Sequence, residues 1–332
     1  MTYAGAGAVF LAFILAMAAV ALFARIAARL PQDAPNERSL HIRPVPRAGG
    51  FAIWIGFLPA ALWFPPSFPG GIAGWLPPWL LLLAVSAIDD ARGVGVSYRL
   101  FTHAAAATWC AAWLIGEVPV SGNVYAAVFS LALLIAWACN LYNFMDGSDG
   151  LAATMTLIGF AAYGVAAMRA GERAVPYLAL AAATLPFLVV NRPRATMFLG
   201  DSGAVPLGFL AAAFGAAGTL SGQWPAWFPV LVFLPFIADA TVTLARRTVR
   251  FERIVLPHRD HYYQRLHRLG AGHVGTLSVY ATLMTASAGT ALGCLAFAPG
   301  WGPVALMLAC VVCFILFAAI DYHWRRKPTA PR

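Results

Sequence analysis

The chain has 332 residues, of which 61% are hydrophobic and only 11% charged. With a mean hydropathy of +0.74 it is too apolar for a soluble globular domain, whose charged share is roughly 25%. The net charge of +9 invites a nucleic-acid partner, but in so apolar a chain an arginine excess belongs to the cytoplasmic face of a lipid bilayer, and no nucleic acid is expected.

Runs of roughly 15–24 apolar residues predict about eleven transmembrane helices. They lie near 5–25, 48–66, 74–88, 101–117, 124–142, 151–168, 174–190, 203–220, 225–245, 274–297 and 301–320. The expected fold class is all-α, a polytopic integral membrane bundle forming one domain over 1–332, with polar loops at about 26–47, 89–100, 140–150, 191–203 and 246–273. The third run is short enough to be tilted or partly re-entrant. The first has no basic residue ahead of it and Arg25 and Arg29 behind it, which predicts a retained helix with its N-terminus outside. Eleven spans then leave the C-terminus in the cytoplasm. In that arrangement 20 of the 22 Lys and Arg residues lie inside and only Arg169 and Arg173 outside, as the positive-inside rule requires.

The first polar loop, Asn36 to Gly50, is rich in Arg, His, Pro and Gly. It suits phosphate binding and serves equally as a topology signal. The third run ends in Asp89-Asp90-Ala-Arg-Gly93. Two adjacent carboxylates repel, so a metal, a cation or a proton must offset them; a solvated helix end paired with Arg92 is the plainer alternative. Next comes Asn140-Leu-Tyr-Asn-Phe-Met-Asp-Gly-Ser-Asp-Gly-Leu151. Asp146 and Asp149, three apart, point the same way on a helical turn, and carboxylates at a membrane boundary usually mark a site. A polar turn capping the following helix needs only one such side chain.

The loop before the eighth run places Asp201 between Gly200 and Gly203, where backbone N–H groups and a carboxylate can be presented together. Asp201 as an ordinary N-cap is the alternative. Asp239 lies in the ninth run, two turns before Arg246-Arg247; it either faces a polar cavity or pairs with an arginine. The five cysteines fall in or beside apolar runs, so no disulfide framework is implied. The last polar loop carries His258-Arg-Asp-His261 and then Tyr262 to Leu269, where basic and apolar residues alternate. A short amphipathic interfacial helix is expected there. Without a third metal ligand at suitable spacing, the two histidines favour a phosphate or sugar clamp.

Acids from three separate loops and an Arg/His-rich loop thus share one membrane face. That composition suits a hard cation such as Mg2+, with Mn2+ as an alternative, held by one or two carboxylates and substrate phosphate oxygens. A membrane-embedded site implies a lipid substrate. The residues by themselves lead to metal-dependent phosphoryl chemistry on a lipid carrier.

The ordered motifs DDxxG, NxxNFxDGxDGLA, NxxxxxxFxGDSG and HRxH, spread over about 36–275, resemble the polyprenyl-phosphate N-acetylhexosamine-1-phosphate transferases, the family that includes MraY and the WecA-type enzymes. The run HRDHYYQRL is closest to the WbpL-like, O-antigen-initiating branch. Two departures stand out: PRAGG where the family often has PRGGG, and Gly93 where MraY has a lysine. The resemblance implies transfer of an N-acetylhexosamine 1-phosphate from its UDP carrier to undecaprenyl phosphate with release of UMP, at the cytoplasmic side of a bacterial inner membrane. It implies Asp201 and Asp89 as metal ligands and Asp89, Asp90 and Asp146 as catalytic carboxylates. Substrate contacts would come from Asn143, Asp149, Asn191, Phe198, His258, Arg259 and His261. It leaves a homodimer open. A transporter would instead show acids deep in several helices and repeated halves, and a CDP-alcohol phosphotransferase needs an Arg after the DG pair that this chain lacks.

Overall fold

The computed structural model describes residues 1–33, 44–119, 122–252 and 258–326; most of the Arg/His-rich part of the first polar loop, including Arg38, His41 and Arg43, lies outside them. The described chain is an all-α, polytopic membrane protein. Its helices are α1 (Tyr3–Arg25), α2 (Gly49–Trp63), α3 (Gly71–Arg92), α4 (Val96–Gly116), α5 (Val124–Phe144), α6 (Leu151–Arg169) and α7 (Val175–Asn191), followed by α8 (Asp201–Leu220), α9 (Trp227–Val232), α10 (Leu234–Val249), α11 (Tyr262–Leu266), α12 (Gly272–Phe297) and α13 (Gly302–Arg326). Each expected apolar run holds a helix, because inside lipid a span must satisfy its own backbone hydrogen bonds. Among the described residues seven helical stretches are long and apolar enough to cross a membrane, while α2 and α7 are apolar but shorter.

Three elements differ from expectation. α3 is not short: it has 22 residues, about 33 Å of helix. Its glycine-rich start and its Asp89–Arg92 end are helical without being apolar. The ninth span is broken at Phe233, between α9 and α10. Pro235 has no amide to continue the ladder and its ring crowds the preceding turn. The interfacial helix expected over Tyr262–Leu269 is a single turn, α11, followed by a wide π-type turn (His267–Ala271) broken at Gly270.

α8 is the organising helix. It is 78% buried, the most of any candidate span, and packs against α3 and α5, with α2 and α4 beside it. α1 lies on α2 and α7, and α12 on α6 and α9. α1 and α13 are only 22% and 17% buried, as expected of lipid-facing helices at a bundle's rim. The interior is knit by aromatic pairs such as Trp54–Trp79 (centroids 5.0 Å, 85°) and Trp75–Phe214 (5.6 Å, 75°). Such packing, rather than water exclusion, holds helices together in lipid.

A small ladder sits where the first and fourth polar loops meet. Strand β1 (Gln32–Asp33) pairs antiparallel with β2 (Val45–Pro46), and Arg47 continues into a parallel bridge with Phe198. The amides of Gly49 and Gly50 donate to the carbonyls of Phe198 and Leu199 at 2.9 Å. This joins the start of α2 to the start of α8. A Cβ on Gly50 would lie 2.5 Å from the Cα of Gly203, so two backbones touch there, and the paired glycines of the PRAGG and GDSG motifs have a packing reason.

Candidate functional site

The adjacent carboxylates at the end of α3 face in different directions. Asp90 turns toward α8, where its two oxygens accept the amides of Asp201 and Ser202, each at 2.9 Å. Its side chain is 3% exposed. α8 is therefore capped by a carboxylate from another helix, the favourable sign at a helix N-terminus. The N-cap position itself is Gly200, and Asp201 is the first helical residue, so the reading of Asp201 as an ordinary N-cap does not hold. Gly200 has φ +76°, and a Cβ there would come within 2.7 Å of Asp90 Oδ2; only glycine fits beneath the capping carboxylate.

Asp89 turns the other way. One oxygen accepts the amide of Val94 and the other meets Arg99 Nη1. The same Nη1 lies 3.0 Å from Asp201 Oδ2, which also receives Asn143 Nδ2 at 3.4 Å. Asp201 is 24% exposed and Asp89 9%. Two carboxylates from α3 and α8 thus converge on one guanidinium nitrogen from α4. The partner of Asp89 is Arg99, not Arg92. Arg47 pairs with Asp33 at 2.6 Å and stands 3.8 Å from Asp90.

Beside this cluster runs the turn 146–150 between α5 and α6. Asp146 is half-buried. Burial, then the carboxylates of Asp201 and Asp90, push its carboxyl well above the ordinary range. Asp149 is buried, and its Oδ2 accepts the amides of Arg194 and Ala195 at 3.0 and 3.1 Å. The Asn191 amide spans two loops: its Oδ1 accepts from Gly150 N–H at 3.1 Å and its Nδ2 donates to the Met197 carbonyl at 2.9 Å. Phe198 is half-buried, and its backbone is hydrogen-bonded to Pro46 and to Gly49 at the start of α2. The structure therefore joins the turn carrying Asp146 and Asp149 to the loop that runs from Asn191 toward Phe198. Both ends of the Asn191 amide and one Asp149 oxygen are engaged by backbone.

The last loop folds over the same end. Asp239, wholly buried in α10, accepts the amides of Tyr262 and Tyr263 at 2.9 Å, Thr243 Oγ1 at 3.2 Å, the Tyr280 hydroxyl, and His261 Nδ1 at 3.3 Å. Among the described residues no arginine pairs with it, and with no exposed surface it anchors the start of α11. His261 is buried and held by that anchor. His258 is half-buried and stacks on His261 with centroids 5.0 Å apart. Burial, then His261 and Arg247, push its pKa down to about 4, so it is neutral at pH 7. Arg259 is half-buried beside it. Three arginines form ion pairs within the loop and with α13: Arg247 with Asp260, and Arg246 and Arg265 with Asp321 at 2.6 and 2.8 Å. Tyr263 donates to the Phe144 carbonyl at 2.9 Å, which brings the loop against the turn 146–150.

Motif reading singled out neither Arg99, nor Asp321, nor His273, which touches Ser148 and Asp149. The one available signal for Arg99 was a cation within two turns of the DDxxG run. Among the described residues no three His, Cys, Asp or Glu side chains gather closely enough to cage an ion alone. The donor set still suits a hard cation. Asp89 and Asp201 already share one positive group, and Mg2+ commonly takes one or two protein carboxylates and completes its shell with phosphate and water.

The family model for glycosyl transferase family 4 matches residues 72–219, which carry the acid cluster and the turn 146–150. The chain is 29% identical to a decaprenyl-phosphate N-acetylglucosaminephosphotransferase of Mycolicibacterium smegmatis, over 85% of this chain and 80% of that protein. It is 25% identical to an undecaprenyl-phosphate alpha-N-acetylglucosaminyl 1-phosphate transferase of Escherichia coli, over 88% and 84%. A Yersinia pestis protein of the same description is 26% identical, over 94% and 90%. With its motifs folded into one polar end of a helical membrane bundle, the chain is similar to glycosyl transferase family 4 over residues 72–219, and its relatives are described as polyprenyl-phosphate N-acetylglucosamine phosphotransferases.

Proposed function

We propose that this chain transfers the 1-phosphate of a UDP-linked N-acetylated sugar, GlcNAc or a related deoxy-amino sugar, to undecaprenyl phosphate and releases UMP. The observation that carries the reading is the convergence of Asp89 and Asp201 on Arg99 next to the turn 146–150 and the last polar loop. Hard oxygen donors, a guanidinium and neutral histidine at one end of an apolar bundle suit a diphosphate that must meet a lipid phosphate. The names of the relatives point to the same reaction class. The site faces the cytoplasm of a bacterial inner membrane, in an eleven-span arrangement that the arginine distribution supports. The run His258-Arg-Asp-His261-Tyr-Tyr-Gln-Arg-Leu266 favours the WbpL-like branch, and with it O-antigen initiation.

In this reading Asp89 and Asp201 would hold Mg2+, which would supply neutralisation of phosphate charge. Asp146 lies beside them. Asp90 supports the chemistry by fixing the start of α8 and so the direction of Asp201. Asn143 steadies Asp201. Phe198 and Asp149 Oδ1 face the nucleoside, and Asn191 shapes that pocket through the two loops it joins. His258 and Arg259 meet the diphosphate or sugar, with His261 setting the His258 ring by stacking. The attacking lipid phosphate oxygen is already anionic, so no strong base is required.

The deciding experiment identifies the nucleotide product formed from UDP-GlcNAc and undecaprenyl phosphate with Mg2+. Displacement within the diphosphate yields UMP; attack at the sugar carbon would yield UDP. Release of UDP, or turnover that ignores the lipid, would sink the proposal.

A further inference from the structure

One contact at this end of the molecule has no part in the scheme above. His273, the second residue of α12, points its ring at the turn 146–150. Its Nδ1 lies 3.2 Å from Ser148 Oγ and accepts the amide of Asp149 at 3.3 Å; Asp149 Oδ1 is 3.8 Å away. The other Asp149 oxygen holds the amides of Arg194 and Ala195. The turn is thus held by two segments, some 45 and 125 residues away in sequence. His267 backs the contact, its ring edge-on to His273 at 4.5 Å and 68°. Between the two histidines the chain bends at Gly270 and Gly272, with φ +112° and +60°. These angles suit glycine and turn the start of α12 back over the turn.

We propose that His273 is a positioning residue for the nucleotide end of the donor: it latches the last polar loop to the Ser148–Asp149 peptide, so that Asp149 and the His258 loop present one preformed surface to the nucleotide sugar. The proposal rests on the transferase reading. Its chemistry is that of a single acceptor atom. Nδ1 receives a backbone N–H, so it acts there through its lone pair. Asparagine can set its Oδ1 close to where Nδ1 stands; alanine removes the acceptor and frees the turn. The acid cluster of Asp89, Arg99 and Asp201 makes none of these contacts, so the lipid-phosphate end should not sense the change.

The test compares wild-type, His273→Ala and His273→Asn full-length protein in lipid nanodiscs. Loss of one to two neutral hydrogen bonds predicts a KM for UDP-GlcNAc raised about tenfold in His273→Ala. The loss should fall on donor KM rather than kcat, the KM for undecaprenyl phosphate should hold, and His273→Asn should recover most of the effect. In the absence of substrate, amide exchange of residues 148–150 should speed up in His273→Ala and not in His273→Asn. An unchanged donor KM overturns the latch, as does a loss shared by kcat and both KM values, or unaltered exchange. If the wild-type protein transferred no UDP-sugar at all, the transferase reading would fall, and the exchange comparison would still decide the latch.

Discussion

Replacing Asp90 by Asn separates a structural carboxylate from a catalytic one. In the native protein both oxygens accept amides of α8 at 2.9 Å and the side chain is 3% exposed. Asparagine keeps one acceptor and turns an NH2 group toward the other N–H. One charge-assisted bond, worth about 1.5–3 kcal/mol, is lost and a buried donor goes unsatisfied. The favourable charge at the helix N-terminus, about 0.3–2 kcal/mol, goes with it. Relief of the buried charge offsets part of this, and a net loss of about 2–4 kcal/mol is expected. At 2–4 °C per kcal/mol for a chain somewhat smaller than this one, the midpoint should fall by roughly 5–10 °C. Asp89→Asn is the control. It removes one of two carboxylates crowded on Arg99, so the midpoint should stay within about 2 °C while turnover collapses. The assay is tryptophan-fluorescence thermal unfolding in detergent, run alongside UMP release. An Asp90→Asn protein with a native midpoint and no turnover would refute the capping argument and return Asp90 to the chemistry.

Other outcomes follow from the same geometry. Gly50→Ala puts a Cβ 2.5 Å from a backbone atom of Gly203, which cannot yield as a side chain would; overpacking of about 1–3 kcal/mol or more should cut the yield of folded protein, and a normally stable, fully active variant would contradict it. His258 has its folded pKa lowered to about 4 from 6.5. Between those values the unfolded chain holds the extra proton, so the contribution of His258 is complete above about pH 6.5 and is lost as pH falls toward 4. The midpoint should therefore decline on acidification from pH 7 to 5, and the decline should be shallower in His258→Ala; identical slopes would exclude this origin. Asp201→Asn should abolish transfer with little change in folding, and unaltered Mg2+ dependence in that variant would refute the proposed role of Asp201 as a metal ligand. Reporter fusions after residues 171 and 222 should report the periplasmic side and a fusion after 260 the cytoplasm; a cytoplasmic signal at 171 would disperse the site.

The helical runs were legible in the chain because a membrane imposes a local rule. Each span must be apolar and must satisfy its own backbone, so every expected run meets a helix whatever its neighbours do. The acids were legible too, since charge is costly anywhere else in so apolar a protein. Their division of labour was not. Asp89 and Asp90 are adjacent, and side chains one residue apart on a helix point about 100° apart; which one meets α8 depends on how α3 packs. The partners also lie far away along the chain: Asp90 caps a helix 111 residues on, and Arg99 reaches Asp201 across 102 residues. Asp239 looked equally suited to a cavity or an arginine until the chain folded and brought the amides of Tyr262 and Tyr263 onto it. Composition decided that this protein is a membrane bundle with its acids at helix ends. Only the packing of α3, α4 and α8 decided which carboxylates converge on Arg99 and which one caps α8, because that choice is made by groups that share no local stretch of sequence.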